Sequence, residues 1–150
     1  MKSISILLFA SFFIFSHTAL SQINKNENKD SGTIIILIVG LDNNDGEVQM
    51  GLFNSAESYN GKKPKYRGAI MKVSNQKVEW KLEDVPFGDY AVKAFHDENS
   101  NNEIDTNFLG IPTENYGFSN NARSLFGPPS FDDAKFKFNE TEMTTEIILK

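Results

Sequence analysis

Asp97, Asn99, Asn101 and Asp105 put oxygen-bearing side chains at relative positions 1, 3, 5 and 9 of one polar run, Asp97-Glu98-Asn99-Ser100-Asn101-Asn102-Glu103-Ile104-Asp105. In a calcium loop of the helix–loop–helix kind those positions aim ligands inward, and position 7 contributes a backbone carbonyl, here that of Glu103. Calcium is a hard ion that takes about six to eight oxygens. Asp97, Asn99, Asn101, the Glu103 carbonyl and Asp105 supply five of them, with water to complete the shell. Position 6, usually glycine, is Asn102, the next best residue for a left-handed turn. Position 12, usually a bidentate glutamate, is Phe108, and Glu114 is a carboxylate that could fold back in its place. The competing reading is an Asx-rich turn with no metal, because Asp and Asn hydrogen-bond their own backbone and favour turns without an ion. Transition metals suit the chain less well, since it has no Cys and His96 is the single His after residue 21.

Other chemistry is thinner. His96 next to Asp97, Asp105 and Glu114 could form the acid–base part of a hydrolase. A general base, however, needs a nucleophile within reach, and no nucleophile motif surrounds Ser119 or Ser124. The phase of His96 matches Tyr90, Val92 and Ala94, so it is expected at the rim of a core face as a hydrogen-bonded structural histidine. Lys62-Lys63-Pro64-Lys65-Tyr66-Arg67 reads as a solvated loop. Asp132-Asp133 and the Glu140/Glu142/Glu146 set read as solvated edge charge.

The elements that must position these residues are strands. Thr33–Leu41 is a continuous apolar run rich in β-branched residues, fit for a buried strand. Asp42-Asn43-Asn44-Asp45-Gly46 is a turn, and Asp45-Gly46 is the strongest hairpin signal in the chain. Glu47–Phe53 alternates with Val48, Met50 and Leu52 on one face. Ala69–Ser74 and Gln76–Val85 flank Asn75, and Val78, Trp80 and Leu82 share an inner face in period two. Asp89–His96, Ala134–Phe138 and Met143–Leu149 complete a set of about seven short strands with no convincing helix. That pattern predicts an all-β fold, a seven-stranded antiparallel sandwich of immunoglobulin-like or prealbumin-like kind. The stretch from Asp97 to Ser130 is far longer than an ordinary connection. It holds Phe108, Leu109, Ile111, Tyr116, Phe118, Leu125 and Phe126, so it is expected to fold back and pack on the sandwich.

The chain opens with Met1-Lys2, an apolar run from Ile4 to Phe15 and small residues at Ala19 and Ser21. That is the order of a secretory signal peptide over residues 1–21, too short for a membrane span. The expected organisation is therefore a signal peptide (1–21), a polar leader (22–31) and one domain (32–150), exported to the periplasm or beyond. Removing residues 1–21 takes away only Lys2 and moves the net charge from −5 to −6. An acidic domain argues against nucleic acid and anionic membrane surfaces as partners. With no Cys there is no disulfide framework, and stability must come from the core and from any bound ion.

With these residues in view, the chain resembles the bacterial domain-of-unknown-function 2141 family from about Gly32 onward. The resemblance is most specific over His96-Asp97-Glu98-Asn99 and Asp105-Thr106-Asn107, then Leu109-Gly110-Ile111-Pro112 and Glu114-Asn115-Tyr116-Gly117-Phe118-Ser119-Asn120. Gly127-Pro128-Pro129-Ser130-Phe131 extends it. In that family the position of Asn102 is often Gly, so this chain departs there. Asp84-Val85-Pro86-Phe87-Gly88-Asp89-Tyr90-Ala91-Val92 also looks like the turn and strand of transthyretin-like and carboxypeptidase-regulatory-like sandwiches. The resemblance implies a sandwich and no particular reaction. The leading expectation is a non-enzymatic module whose His96–Ser130 loop, pinned by calcium, meets a protein, peptide or glycan. The alternatives are a metal-free structural component of the cell envelope and a hydrolase built on His96.

Overall fold

A computed structural model describes residues 30–150; the signal-peptide reading of residues 1–21 lies outside the described residues. Eight strands follow in chain order: β1 (Ser31–Val39), β2 (Glu47–Phe53), β3 (Arg67–Lys72), β4 (Val78–Pro86), β5 (Gly88–Asp97), β6 (Tyr116–Phe118), β7 (Phe136–Phe138) and β8 (Glu142–Ile148). They form two sheets. The smaller has the order β4-β1-β8, and the larger β3-β2-β5-β6, with β7 pairing the first residues of β5. Two single-turn helices, α1 (Ala56–Tyr59) and α2 (Phe131–Ala134), and a 3-10 turn at Ser119–Asn121 complete the described elements.

Period-two alternation builds the sandwich. Ile34, Ile36 and Ile38 of β1 are fully buried and face Val48, Met50 and Leu52 of β2 and Tyr90, Val92 and Ala94 of β5 across one shared core. Trp80, Leu82 and Ile147 fill the same core from the flanking strands. Tyr90 donates its hydroxyl proton to the Pro86 carbonyl at 2.8 Å, fixing the corner where the chain passes from the small sheet to the large one.

The expected two-sheet β sandwich is what the chain adopts, with four differences of detail. First, β1 and β8 run parallel, in register from Thr33↔Glu142 to Val39↔Ile148. Alternation says which side chains point inward and is silent on the direction of a neighbouring strand. Second, Asp45-Gly46 does not close a hairpin: β1 pairs with β4 and β8, whereas β2 pairs with β3 and β5. The turn instead carries the chain from one sheet to the other. Gly46 sits at φ +63°, and a Cβ there would run into the Asp97 carbonyl oxygen. Third, the helices and β6 lie where the sequence suggested irregular chain. Ser55 and Ser130 each accept an N–H of the helix that follows, and such caps act within one turn, below the reach of periodicity. Fourth, the long loop packs only in part. Tyr116 and Phe118 join a cluster with Tyr59, Ala91 and Ala134 on the outer face of the large sheet. Phe108, Leu125 and Phe126, by contrast, are 94%, 94% and 92% exposed. Apolar content showed that the loop holds material for packing but not which side chains reach the sheet: α1, α2 and β6 cover part of the outer face, and the rest stays open.

Candidate functional site

Side chains on β5 alternate between the core and the outer face of the large sheet. Ala91, Lys93, Phe95 and Asp97 share the outer row, so Asp97 ends that row and begins the acidic loop. It is fully buried. One carboxylate oxygen accepts the Asn101 N–H at 3.0 Å. The other accepts the Asn102 N–H at 2.8 Å and the side-chain amide of Gln49, from the adjacent strand β2, at 2.9 Å. Burial pushes the carboxyl upward, but the N–H groups of Asn102, Gln49, Asn101 and Ser100 together outweigh it and hold its pKa below the ordinary value of 3.8.

The loop then coils through successive Asx turns. Asn99 Oδ1 accepts the Asn101 N–H at 3.0 Å, and Asn101 Oδ1 accepts the Glu103 N–H at 2.8 Å. Both asparagine amides converge on Asp105, donating to its two oxygens at 2.6 Å and 3.0 Å. Ser100 and Asn102 take left-handed conformations at φ +57° and +69°, which asparagine tolerates better than most residues. Glu114, 8% exposed, does fold back: one carboxylate oxygen accepts the Glu98 N–H at 3.1 Å and the other the Asp105 N–H at 2.9 Å. It clasps both ends of the loop with one side chain.

Of the residues singled out by spacing, Asn99 and Asn101 meet Asp105 through their side chains, whereas the Asp97 carboxylate is turned to the Asn101 and Asn102 N–H groups and to Gln49. The exposed side chain of Glu103 takes no part. Among the described residues, no group of three or more His, Cys, Asp or Glu could hold a metal ion. A cation here would depend on the two asparagine oxygens and main-chain carbonyls as well as on carboxylates. The donor set is all oxygen and so suits a hard ion. For both asparagines to ligate, their amides would have to turn over, because their NH2 groups now face Asp105.

His96 is fully buried. Its Nε2 donates to the Asp45 carbonyl at 2.7 Å, tying the β1–β2 turn to the head of the loop. Its Nδ1 has no hydrogen-bond partner, and the nearest Glu98 oxygen is 3.7 Å away, too far for a hydrogen bond. Ser119, considered as a nucleophile, is buried, with its hydroxyl donating to the Ala134 carbonyl at 2.6 Å and accepting the Val92 N–H at 2.8 Å.

The outer face also carries a groove that sequence reasoning missed. A cavity of about 330 Å³ lies over β2 and β5, lined by Phe53, Phe95, Tyr116 and Phe118 with Lys65 and Lys93. It adjoins a second, of about 780 Å³, that shares Phe53, Lys93 and Pro128. A third, of about 480 Å³, shares Ile104, Tyr116, Phe118 and Pro128 with the first and is walled by Ile111 and Leu125. Ile104 belongs to the acidic loop, so that loop forms one end of the groove. Lys93 is half-buried above the Tyr59 ring, 4.0 Å from its centroid, and donates to the Tyr59 carbonyl at 2.7 Å. Burial lowers its pKa. The available signal was the outward phase of β5, where Ala91 and Phe95 are apolar on a face expected to be solvated.

A protein-family model, described as an uncharacterized protein conserved in bacteria (DUF2141), matches residues 36–146. No curated protein and no solved structure matches the chain.

Proposed function

We propose a non-enzymatic binding function for this chain, which belongs to the DUF2141 family of bacterial proteins. The groove on the outer face of the large sheet is the binding surface, and calcium held by the Asp97–Asp105 loop fixes its end wall. The observation that carries this reading is the Glu114 clasp together with the convergence of Asn99 and Asn101 on Asp105. Glu114 takes the place of the glutamate missing at position 12 as a clasp on the loop's main chain and not as a ligand. Among the described residues no Lys or Arg forms an ion pair with Asp97, Asp105 or Glu114. Concentrated negative charge without a cationic neighbour favours a bound cation.

The ligands for calcium would be Asp97, Asn99, Asn101, Asp105 and the Glu103 carbonyl; the ion would supply positive charge and rigidity. A buried His96 without a free accessible nitrogen and a doubly bonded Ser119 support a non-catalytic role. The N-terminal pattern of residues 1–21 supports action after export, where calcium is plentiful. Calcium-binding extracellular modules work at Kd values of about 10⁻⁴–10⁻³ M. A concentration 100-fold above Kd stabilises a folded state by roughly 2.7 kcal/mol. Thermal melts in 10 mM calcium and in EDTA should therefore separate clearly, and Asp97→Ala with Asp105→Ala should abolish the difference. Superimposable melts of the unmodified protein would remove calcium from the reading.

A further inference from the structure

The groove's floor constrains what it can hold. It is the face of β2 and β5, and both strands are already paired on each side, β2 with β3 and β5, and β5 with β2, β6 and β7. The outer edge of β6 is closed too, because Tyr116 exchanges main-chain hydrogen bonds with Lys150 at 3.3 Å and 3.2 Å. An extended peptide that binds by strand addition needs a free main-chain edge; β2, β5 and the Tyr116 edge offer none, and the edge of the large sheet left unpaired among the described residues is that of β3, off the floor formed by β2 and β5. A glycan needs several side-chain hydrogen-bonding partners beside its stacking rings, and the neutral polar side chains lining the 330 Å³ cavity are only two, Tyr116 and Gln49, the latter with its NH2 group already given to Asp97.

What the groove does offer is aromatic surface and two ammonium groups. Among the described residues no carboxylate pairs with Lys93 or Lys65, although the chain as a whole is acidic. Lys93 spends one donor on the Tyr59 carbonyl, out of the three an ammonium carries. Lys65 is brought across the sheet by a glycine pair. Gly51 and Gly68 face each other on β2 and β3, and a Cβ on Gly68 would fall 2.6 Å from the Lys65 Cε. A volume of about 330 Å³ lies in the range of roughly 300–1,000 Å³ usual for small-ligand sites.

We infer that the groove takes an amphipathic anion of the single-chain carboxylate class, its head on Lys93 and its apolar body over Phe95, Tyr116 and Phe118. The inference rests on the reading of the groove as the binding surface. It does not need calcium in the loop.

The test is calorimetric titration of the protein with three twelve-carbon probes below their micellar concentrations: dodecanoate, dodecyltrimethylammonium and dodecyl maltoside. Dodecanoate should bind saturably at one site, at least tenfold more tightly than the cationic or neutral probe. Lys93→Met should lose about tenfold or more in dodecanoate affinity, Lys93→Arg should retain it, and Lys93→Glu should reverse the preference toward the ammonium probe. Equal affinities for the three probes, absence of saturable dodecanoate binding, or unchanged binding by a folded Lys93→Met would each overturn the inference. The probe comparison on the unmodified protein decides the matter even where a variant fails to fold. An apolar peptide with a free C-terminal carboxylate that binds where dodecanoate does not would also overturn it. Dodecanoate titrations in EDTA, with calcium melts run separately in the absence of dodecanoate, separate the two proposals: a calcium-dependent melt without dodecanoate binding removes only this one, and dodecanoate binding without any calcium response removes only calcium.

Discussion

Replacing Asp97 by Asn probes the loop at its most constrained point. The substitution keeps the shape but exchanges one acceptor oxygen for an NH2 group. Either orientation sets that NH2 against a donor: the Asn101 N–H on one side, or the Asn102 N–H and the Gln49 amide on the other. The less costly orientation faces Asn101, whose N–H keeps Asn99 Oδ1 as a second acceptor at 3.0 Å. One charge-assisted bond is then lost and two are weakened. With each hydrogen bond to a charged group contributing roughly 1.5–3 kcal/mol, partly offset by no longer burying a charge, we expect a loss of about 2–3 kcal/mol at pH 7. For a domain of this size that is roughly 6–12 °C in Tm. The effect should depend on pH in a defined direction. Because the folded-state pKa of Asp97 lies below 3.8, its contribution is fully present above that value and is lost as pH falls through the folded pKa. Urea melts of both proteins in EDTA at pH 7, 5 and 3 should show a constant gap at the first two and a narrower one at the third. A gap under about 0.5 kcal/mol at pH 7, or one that widens toward pH 3, would refute the reasoning.

Glu114→Ala removes both halves of the clasp and should cost about 2–4 kcal/mol in urea melts. Hydrogen exchange should accelerate at the Glu98 and Asp105 amides while the β1 amides stay protected. Tyr59→Phe should be neutral or stabilising by up to about 1–2 kcal/mol in thermal melts, because the buried Tyr59 hydroxyl has no hydrogen-bond partner. In the unmodified protein burial, with a smaller push from Asp133, raises that phenol to about 12; burial raises Tyr90 too, so absorbance at high pH should show a late tyrosine phase that Tyr59→Phe reduces. Gly46→Ala combines a left-handed φ with a collision against the Asp97 carbonyl and should cost roughly 2–4 kcal/mol. If Gly46→Ala melts like the unmodified protein, the turn does not lie against the loop as described.

Strand identity and core facing were legible because they follow from local alternation. Val48, Met50 and Leu52, or Tyr90, Val92 and Ala94, each declare an inner face within seven residues or fewer. The meeting of Asn99 and Asn101 with Asp105 was legible for a related reason, since spacing within seven residues is itself a statement of geometry. What depends on distant partners was hidden. Gln49 reaches Asp97 across 48 residues of sequence and carries no local mark of doing so. The groove is hidden in the same way. Lys93 reads as an ordinary outward lysine until α1 brings the Tyr59 ring beneath it, and Gly51 and Gly68 read as weak strand residues until they face each other. The fate of Asp45-Gly46 shows the converse. A strong local turn signal was right about the turn, while the strands it joined were sorted into different sheets by the tertiary core.

The parallel pairing of β1 with β8 bears on the order in which the protein is assembled. β1 is the central strand of the small sheet, yet one of its two neighbours is separated from it by more than a hundred residues of sequence. A chain delivered from its N-terminus can form the β2–β3 ladder early, but one flank of β1 stays open until the final strand arrives. Contacts of such long sequence separation slow folding and leave an unpaired apolar edge exposed meanwhile. Removing β8 should accordingly leave no small folded fragment. It should yield a chain with an isoleucine-rich strand open along one side and a tendency to pair that side with another copy.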